Sequence, residues 1–96
     1  MNINRNNGGP RGTLLIVDDD QVLCQVMGRA FEARGFTVRT AQSAREGIAI
    51  AQALRPDAAV IDLRLPDQSG LKIITTLKAI NRDMRMRKGD RSPTDA

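Results

Sequence analysis

Two acidic clusters, each closing a short apolar run, hold the chemical potential of this sequence. Leu14-Leu15-Ile16-Val17 leads into Asp18-Asp19-Asp20, and Ala58-Ala59-Val60-Ile61 leads into Asp62. Carboxylates supply hard oxygen ligands for a cation such as Mg²⁺, and an activated carboxylate is also an oxygen nucleophile. If the two runs are neighbouring strands, Asp18, Asp19 and Asp62 meet in one small volume, where their like charges repel unless a cation neutralises them. The triplet also suits the start of a helix, and Asp20 is the residue best placed to be a simple N-cap. There is no histidine, which excludes an imidazole base or zinc ligand, and Cys24 is the only cysteine. A single thiol forms no intramolecular disulfide, which agrees with a reducing compartment; beside an apolar stripe it reads as a small core or boundary residue.

The elements that must position these groups follow from periodicity. An apolar run bounded by charge or turns, with helical stretches between one run and the next, is the pattern of a parallel sheet covered on both faces, whose ligands sit at the carboxyl ends of the strands. Residues 13–18 and the run ending at Asp62 are two such strands. From residue 21 to 34, Val22, Leu23, Val26, Met27, Ala30 and Phe31 fall at helical spacing, and Gly35 is placed to close that helix in a left-handed cap. Residues 36–40 alternate, Phe36 and Val38 against Thr37 and Arg39, as in an edge strand. Ser43-Ala44-Arg45-Glu46 is a capping box; Ile48, Ala51 and Leu54 then form a stripe until Pro56 stops the second helix. Residues 70–80 predict a third helix, with Leu71, Ile74 and Leu77 facing inward. Three strand–helix units in succession describe an open α/β sheet with right-handed crossovers.

The segment Val60-Ile61-Asp62-Leu63-Arg64-Leu65-Pro66-Asp67-Gln68-Ser69-Gly70-Leu71 resembles the phosphorylation-site segment of bacterial two-component response-regulator receiver domains. Leu15-Ile16-Val17-Asp18-Asp19-Asp20 resembles their first strand and acidic pair, and the two motifs stand at the family's spacing. The resemblance implies a flavodoxin-like parallel sheet of order 2-1-3 flanked by helices. It makes Asp62 the phosphoacceptor, charged by a sensor histidine kinase or phosphotransfer protein. It also implies a Mg²⁺ site in which Asp19 is the main side-chain ligand, Asp18 acts through water, Asp62 is shared and the Arg64 backbone carbonyl is a further contact. Such a module is a phosphoprotein of a phosphorelay rather than an enzyme, since a complete receiver catalyses only its own phosphorylation and dephosphorylation.

The resemblance runs from about residue 14 to 80. A complete receiver continues with two more strand–helix units, whose strands end in a Ser or Thr and in a Lys that contact the phosphoryl group. Lys88, Ser92 and Thr94 are present, but no apolar run precedes them, and none is assigned a site role. Met84 and Met86 alternate with charge as if starting a fourth strand, which Arg87-Lys88-Gly89-Asp90 breaks. The expectation is therefore a receiver truncated, or shifted in frame, after its third unit: residues 1–12 a disordered leader, 13–80 a partial receiver, and 81–96 a polar, basic tail. On that reading strand three is an exposed apolar edge, a template for pairing with another chain.

Composition narrows the partners. The net charge of +4 belongs to the ends, because residues 13–80 hold eight basic and eight acidic side chains. Arg5 and Arg11 lie at the start, and residues 81–96 hold five basic and three acidic groups. Diffuse terminal charge gives only salt-sensitive, non-specific contact with nucleic acid. Two phenylalanines, with no tryptophan and no tyrosine, leave little for bases to stack on. No run approaches the roughly 20 apolar residues of a membrane span, and the Asn- and Gly-rich start lacks the apolar core of a signal peptide, so a cytoplasmic protein is expected. The leading function is phosphorelay signalling through Asp62. The alternative is a module that binds a kinase or another receiver without switching, with the first helix as its docking surface, or an inactive fragment.

Overall fold

The structure, a computed structural model, describes residues 10–89. In chain order the elements are β1 (Thr13–Val17), α1 (Gln21–Ala33), β2 (Thr37–Ala41), α2 (Ala44–Leu54), β3 (Ala58–Asp62), α3 (Gly70–Ile80) and β4 (Arg85–Gly89). The four strands form one parallel sheet of order β2-β1-β3-β4. The flavodoxin-like order 2-1-3 is thus present and is extended by one strand.

Local signals fix the ends of the helices. Asp20 caps α1, its Oδ1 accepting from the Leu23 N–H at 3.0 Å. At the other end Gly35 takes φ +102°, the Gly35 N–H donates to Glu32 O at 3.0 Å, and the Phe36 N–H donates to Phe31 O at 3.1 Å. This is the paired bonding of a Schellman cap, and the accompanying apolar contact is an edge-to-face pair of Phe31 and Phe36, 5.8 Å between centroids. The capping box holds in a modified form. Ser43 Oγ accepts from the Glu46 N–H at 3.1 Å, but Glu46 Oε1 reaches back to the Gln42 N–H at 3.0 Å, one residue before Ser43. α2 ends at Arg55 in a left-handed conformation, just before Pro56.

Two clusters fill the two faces of the sheet. Leu15, Val17, Ala59, Ile61 and Met84 pack with Ala44 and Ala51 of α2 and with Ile73 and Leu77 of α3. Leu14, Ile16, Ala58 and Val60 pack with Cys24 on the other face, which Met27, Phe31, Phe36 and Val38 border. β1 and β3 thus alternate between two apolar surroundings, which is why both read as continuous apolar runs.

Helix orientation departs from the stripes read in the sequence. Leu71 is 61% exposed, whereas Gly70, Ile73 and Leu77 are buried. The close seat of Gly70 against Leu63 sets the inward face of α3, and Leu71 lies about 100° around the helix from it. Leu54 is also partly exposed, at 43%. On α1 the buried positions are Cys24 and Gly28, while Val22 (68%) and Val26 (60%) face outward. Cys24 therefore sits within the buried line, not beside it.

A fourth strand forms where the sequence predicts a broken one. Met84 is fully buried and Met86 partly so, both on the α2/α3 side, while Arg85 and Arg87 are exposed. An edge strand needs only one apolar face, so alternation suffices and the continuous run demanded of an inner strand does not apply. Consequently β3 is paired on both sides and buried throughout, and β4, with its arginines, is the edge. Residues 90–96 of the expected tail, with Ser92 and Thr94, and residues 1–9 of the expected leader lie outside the described residues.

Candidate functional site

In the parallel register Val17 pairs with Ile61, so Asp18 and Asp62 leave two adjacent strands side by side. Asp62 also pairs with Gly89 of β4. Asp18, Asp19 and Asp62 each offer a carboxylate oxygen, and these three oxygens lie within 4.8 Å of one another. Asp18 and Asp62 are only 3% and 2% exposed, and Asp19 is open to solvent. Two buried carboxylates beside a third carry a large desolvation and repulsion cost unless hydrogen bonds or a cation offset it.

Backbone donors meet part of that cost. Asp18 Oδ1 accepts from the Asp20 N–H at 2.9 Å, and Asp62 Oδ1 accepts from the Arg64 N–H at 3.0 Å. Both are Asx-type turns, which orient each carboxylate while bending the chain away from the sheet. The Asp18 N–H donates to Ala41 O at 3.0 Å, tying the exit of β1 to the exit of β2. Gly70 supports the exit of β3. A Cβ there would lie 2.5 Å from Leu63 Cα and 2.9 Å from Asp62 O, so α3 begins closer to the Asp62 backbone than any side chain allows.

The donor set is oxygen only, which suits a hard divalent ion better than a soft one. Oxygens around an octahedral Mg²⁺ stand about 3–4.2 Å apart, so a small closure, or a bridging water, brings this cluster into range. Asp18, Asp19 and Asp62, singled out in the sequence, are thus brought together. The Arg64 peptide lies against Asp62 through its N–H. Cys24 donates its thiol to Asp18 O at 3.3 Å, and burial, reinforced by the charges of Asp18 and Asp20, pushes the thiol up to about 11. That agrees with a packing residue rather than a redox sensor.

One residue of the site's surroundings escapes a reading by motif. Asp67, in the loop between β3 and α3, accepts from the Ala44 N–H at 2.9 Å through Oδ1 and from the Arg45 N–H at 3.1 Å through Oδ2. Its partners stand more than twenty residues earlier in the chain, so no local pattern announces the contact. Among the described residues no helix is long and apolar enough to cross a membrane.

Comparison with known proteins gives a consistent picture. The family model described as "Response regulator receiver domain" matches residues 14–87. The acid tolerance regulatory protein ActR of Rhizobium meliloti is 51% identical over 78 residues, covering 81% of this chain and 40% of that protein. The photosynthetic apparatus regulatory protein RegA of Cereibacter sphaeroides is 46% identical over 78 residues, covering 81% of this chain and 42% of its own length. This chain therefore spans well under half the length of these curated relatives. Among solved structures, a response regulator from Burkholderia pseudomallei, crystallised with a phosphorylated aspartic acid, calcium ion and citrate, superposes with a TM-score of 0.79. It is 30% identical, covering 83% of this chain and 47% of that one.

Proposed function

Because this chain belongs to the response regulator receiver domain family, we propose that it is a phosphoacceptor module of a two-component phosphorelay. Asp62 takes the phosphoryl group from a sensor histidine kinase or phosphotransfer protein in a Mg²⁺-dependent step, in the cytoplasm. The observation that carries this reading is the convergence of Asp18, Asp19 and Asp62 to within 4.8 Å at the carboxyl edge of β1 and β3. The phosphorylated aspartic acid and calcium ion in the Burkholderia pseudomallei neighbour support it by likeness.

In the proposed step a carboxylate oxygen of Asp62 attacks phosphorus, an acyl phosphate forms, and the phosphorus–nitrogen bond to the donor histidine breaks with the electron pair leaving on nitrogen. A divalent ion held by these carboxylates would neutralise charge on carboxylates and phosphoryl oxygens that otherwise repel. Asp19 would be its main side-chain ligand, Asp18 would hold it through water, Asp62 would share it, and the Arg64 carbonyl would give a further contact. The Arg64 N–H keeps the Asp62 carboxylate in one orientation, which favours attack along a fixed line. Opposite Asp62 the fourth strand presents Gly89, not the Ser or Thr of a complete receiver.

A small phosphodonor such as acetyl phosphate, offered with and without Mg²⁺, tests the reading by intact mass. Gain of one phosphoryl group with Mg²⁺, lost on chelation and in Asp62→Asn, is the expected result; no gain in the unmodified chain refutes it. A second reading is a binder that does not switch, and it is favoured by the exposure of Val22 and Val26 on α1. These give an apolar docking strip for a kinase helix or another receiver. Kinase binding that survives Asp62→Asn, in a chain that gains no phosphoryl group, would select this second reading.

A further inference from the structure

The loop joining β3 to α3, residues 63–69, leaves the sheet at Asp62 and turns its Arg64 N–H back onto that carboxylate. Its hydrogen bonds are mostly local. The Arg64 N–H returns to Asp62, the Gly70 N–H donates to Leu63 O at 3.3 Å, and Ser69 caps α3 by accepting from the Lys72 N–H. Leu65 is the apolar anchor, packed into the α2/α3 cluster. Among the described residues, the loop's hydrogen bonds to a distant part of the chain are the two made by Asp67 to Ala44 and Arg45.

Those bonds come from outside the local cap of α2. Ser43 already caps the helix through the Glu46 N–H, and the Gly47 N–H makes the first intrahelical bond, to Ser43 O. Asp67 takes the two remaining first-turn donors with a carboxylate from another segment. Accepting both N–H groups holds its carboxyl below the ordinary carboxylate range. The connection it grips is also bonded to the other half of the site, since Ala41 O accepts from the Asp18 N–H. The backbone groups of Ala41, Ala44 and Arg45 are thus a common mount, holding the exit of β1 on one side and the loop after β3 on the other, with no part played by the Ser43 side chain.

We infer that Asp67 is a positioning residue for the acidic site: its carboxylate, clamped on the first turn of α2, sets the path of the 63–69 loop and so holds the Arg64 peptide, whose carbonyl the proposed Mg²⁺ site uses, against Asp62. The inference rests on the Mg²⁺ reading proposed above. Groups that orient metal ligands without touching the ion commonly change affinity by about 10–100-fold when removed. The lower end applies here, because Leu65 still anchors the loop.

The test is a Mg²⁺ titration of the 96-residue chain followed by amide ¹H–¹⁵N spectra, reading affinity from folded-state peaks so that lost stability is not scored as lost binding. Asp67→Ala is expected to bind Mg²⁺ roughly tenfold more weakly. Asp67→Asn, which keeps one acceptor, falls between it and the unmodified chain, and Ser43→Ala, which weakens the α2 cap without touching the loop, binds as the unmodified chain does. Equal weakening in Ser43→Ala would reduce Asp67 to a helix cap and overturn the inference. An Asn variant as weak as the Ala variant would assign the effect to lost charge and overturn it too. Unchanged affinity in Asp67→Ala removes this inference alone, whereas an unmodified chain indifferent to Mg²⁺ removes the metal reading and this inference together. If Asp67→Ala does not fold, the Asn variant against Ser43→Ala decides.

Discussion

The inner strands and the outer strands of this sheet are built to different rules. β3 is buried along its whole length and β1 at all but Thr13, whereas β2 exposes Arg39 and Thr40, and β4 exposes Arg85 and Arg87. The acidic site is mounted on the inner pair: Asp18 and Asp62 follow directly from β1 and β3, and both are buried. Like-charged carboxylates can be held at short range only by backbone that cannot relax apart, and a strand packed on both faces is such backbone. The outer strands are free to vary in polarity because each needs only one apolar face.

This contrast can be broken most directly at its centre. Ile61→Ala, next to the phosphoacceptor position and fully buried, is expected to cost about 2–5 kcal/mol in urea unfolding, which for so small a domain approaches the whole stability. A loss below about 1 kcal/mol would mean that the inner strands are not the rigid part. The chemistry of Cys24 sharpens the same point. A thiol raised from 9.0 to about 11 stays protonated through neutral and mildly alkaline pH and ionises only as pH rises through the higher value. Its labelling by a thiolate-specific reagent at neutral pH should therefore be roughly a hundredfold slower in the folded chain than in urea, and equal rates would show that the sheet face beneath α1 opens freely.

Gly70→Ala comes next. The added Cβ meets Leu63 Cα and Asp62 O, so a loss of about 1–3 kcal/mol is expected, together with shifted amide signals at residues 62–64; unchanged signals would show that α3 backs away without moving the site. The smallest effect belongs to the surface. Val22→Ala on α1 should alter thermal stability by within about 0.5 kcal/mol, and a larger change would place that side chain in a contact the present fold does not contain.

Much of the architecture was legible because it is encoded locally. Asp20 and Ser43 mark the helix starts, Gly35 marks the end of α1, and the apolar runs before Asp18 and Asp62 mark the inner strands. The candidate site was legible for the same reason: its three carboxylates stand at strand ends, and parallel pairing of β1 with β3 brings strand ends together. Where local and long-range demands diverged, the reading went astray. Leu71 fits an apolar stripe, yet the close approach of Gly70 to Leu63 turns α3 so that Ile73 is buried in its place.

The sequence by itself determined the inner strands, the helix ends and the carboxylates that the turns present, because each depends on a few neighbouring residues and on the stiffness of the backbone between them. Only the tertiary structure decided that a charge-rich segment joins the sheet as β4, which faces the helices turn inward, and that Asp67 crosses to α2. Each of those outcomes depends on surfaces and donors supplied by residues distant in the chain, and their free energy exists only once the fold has brought them together.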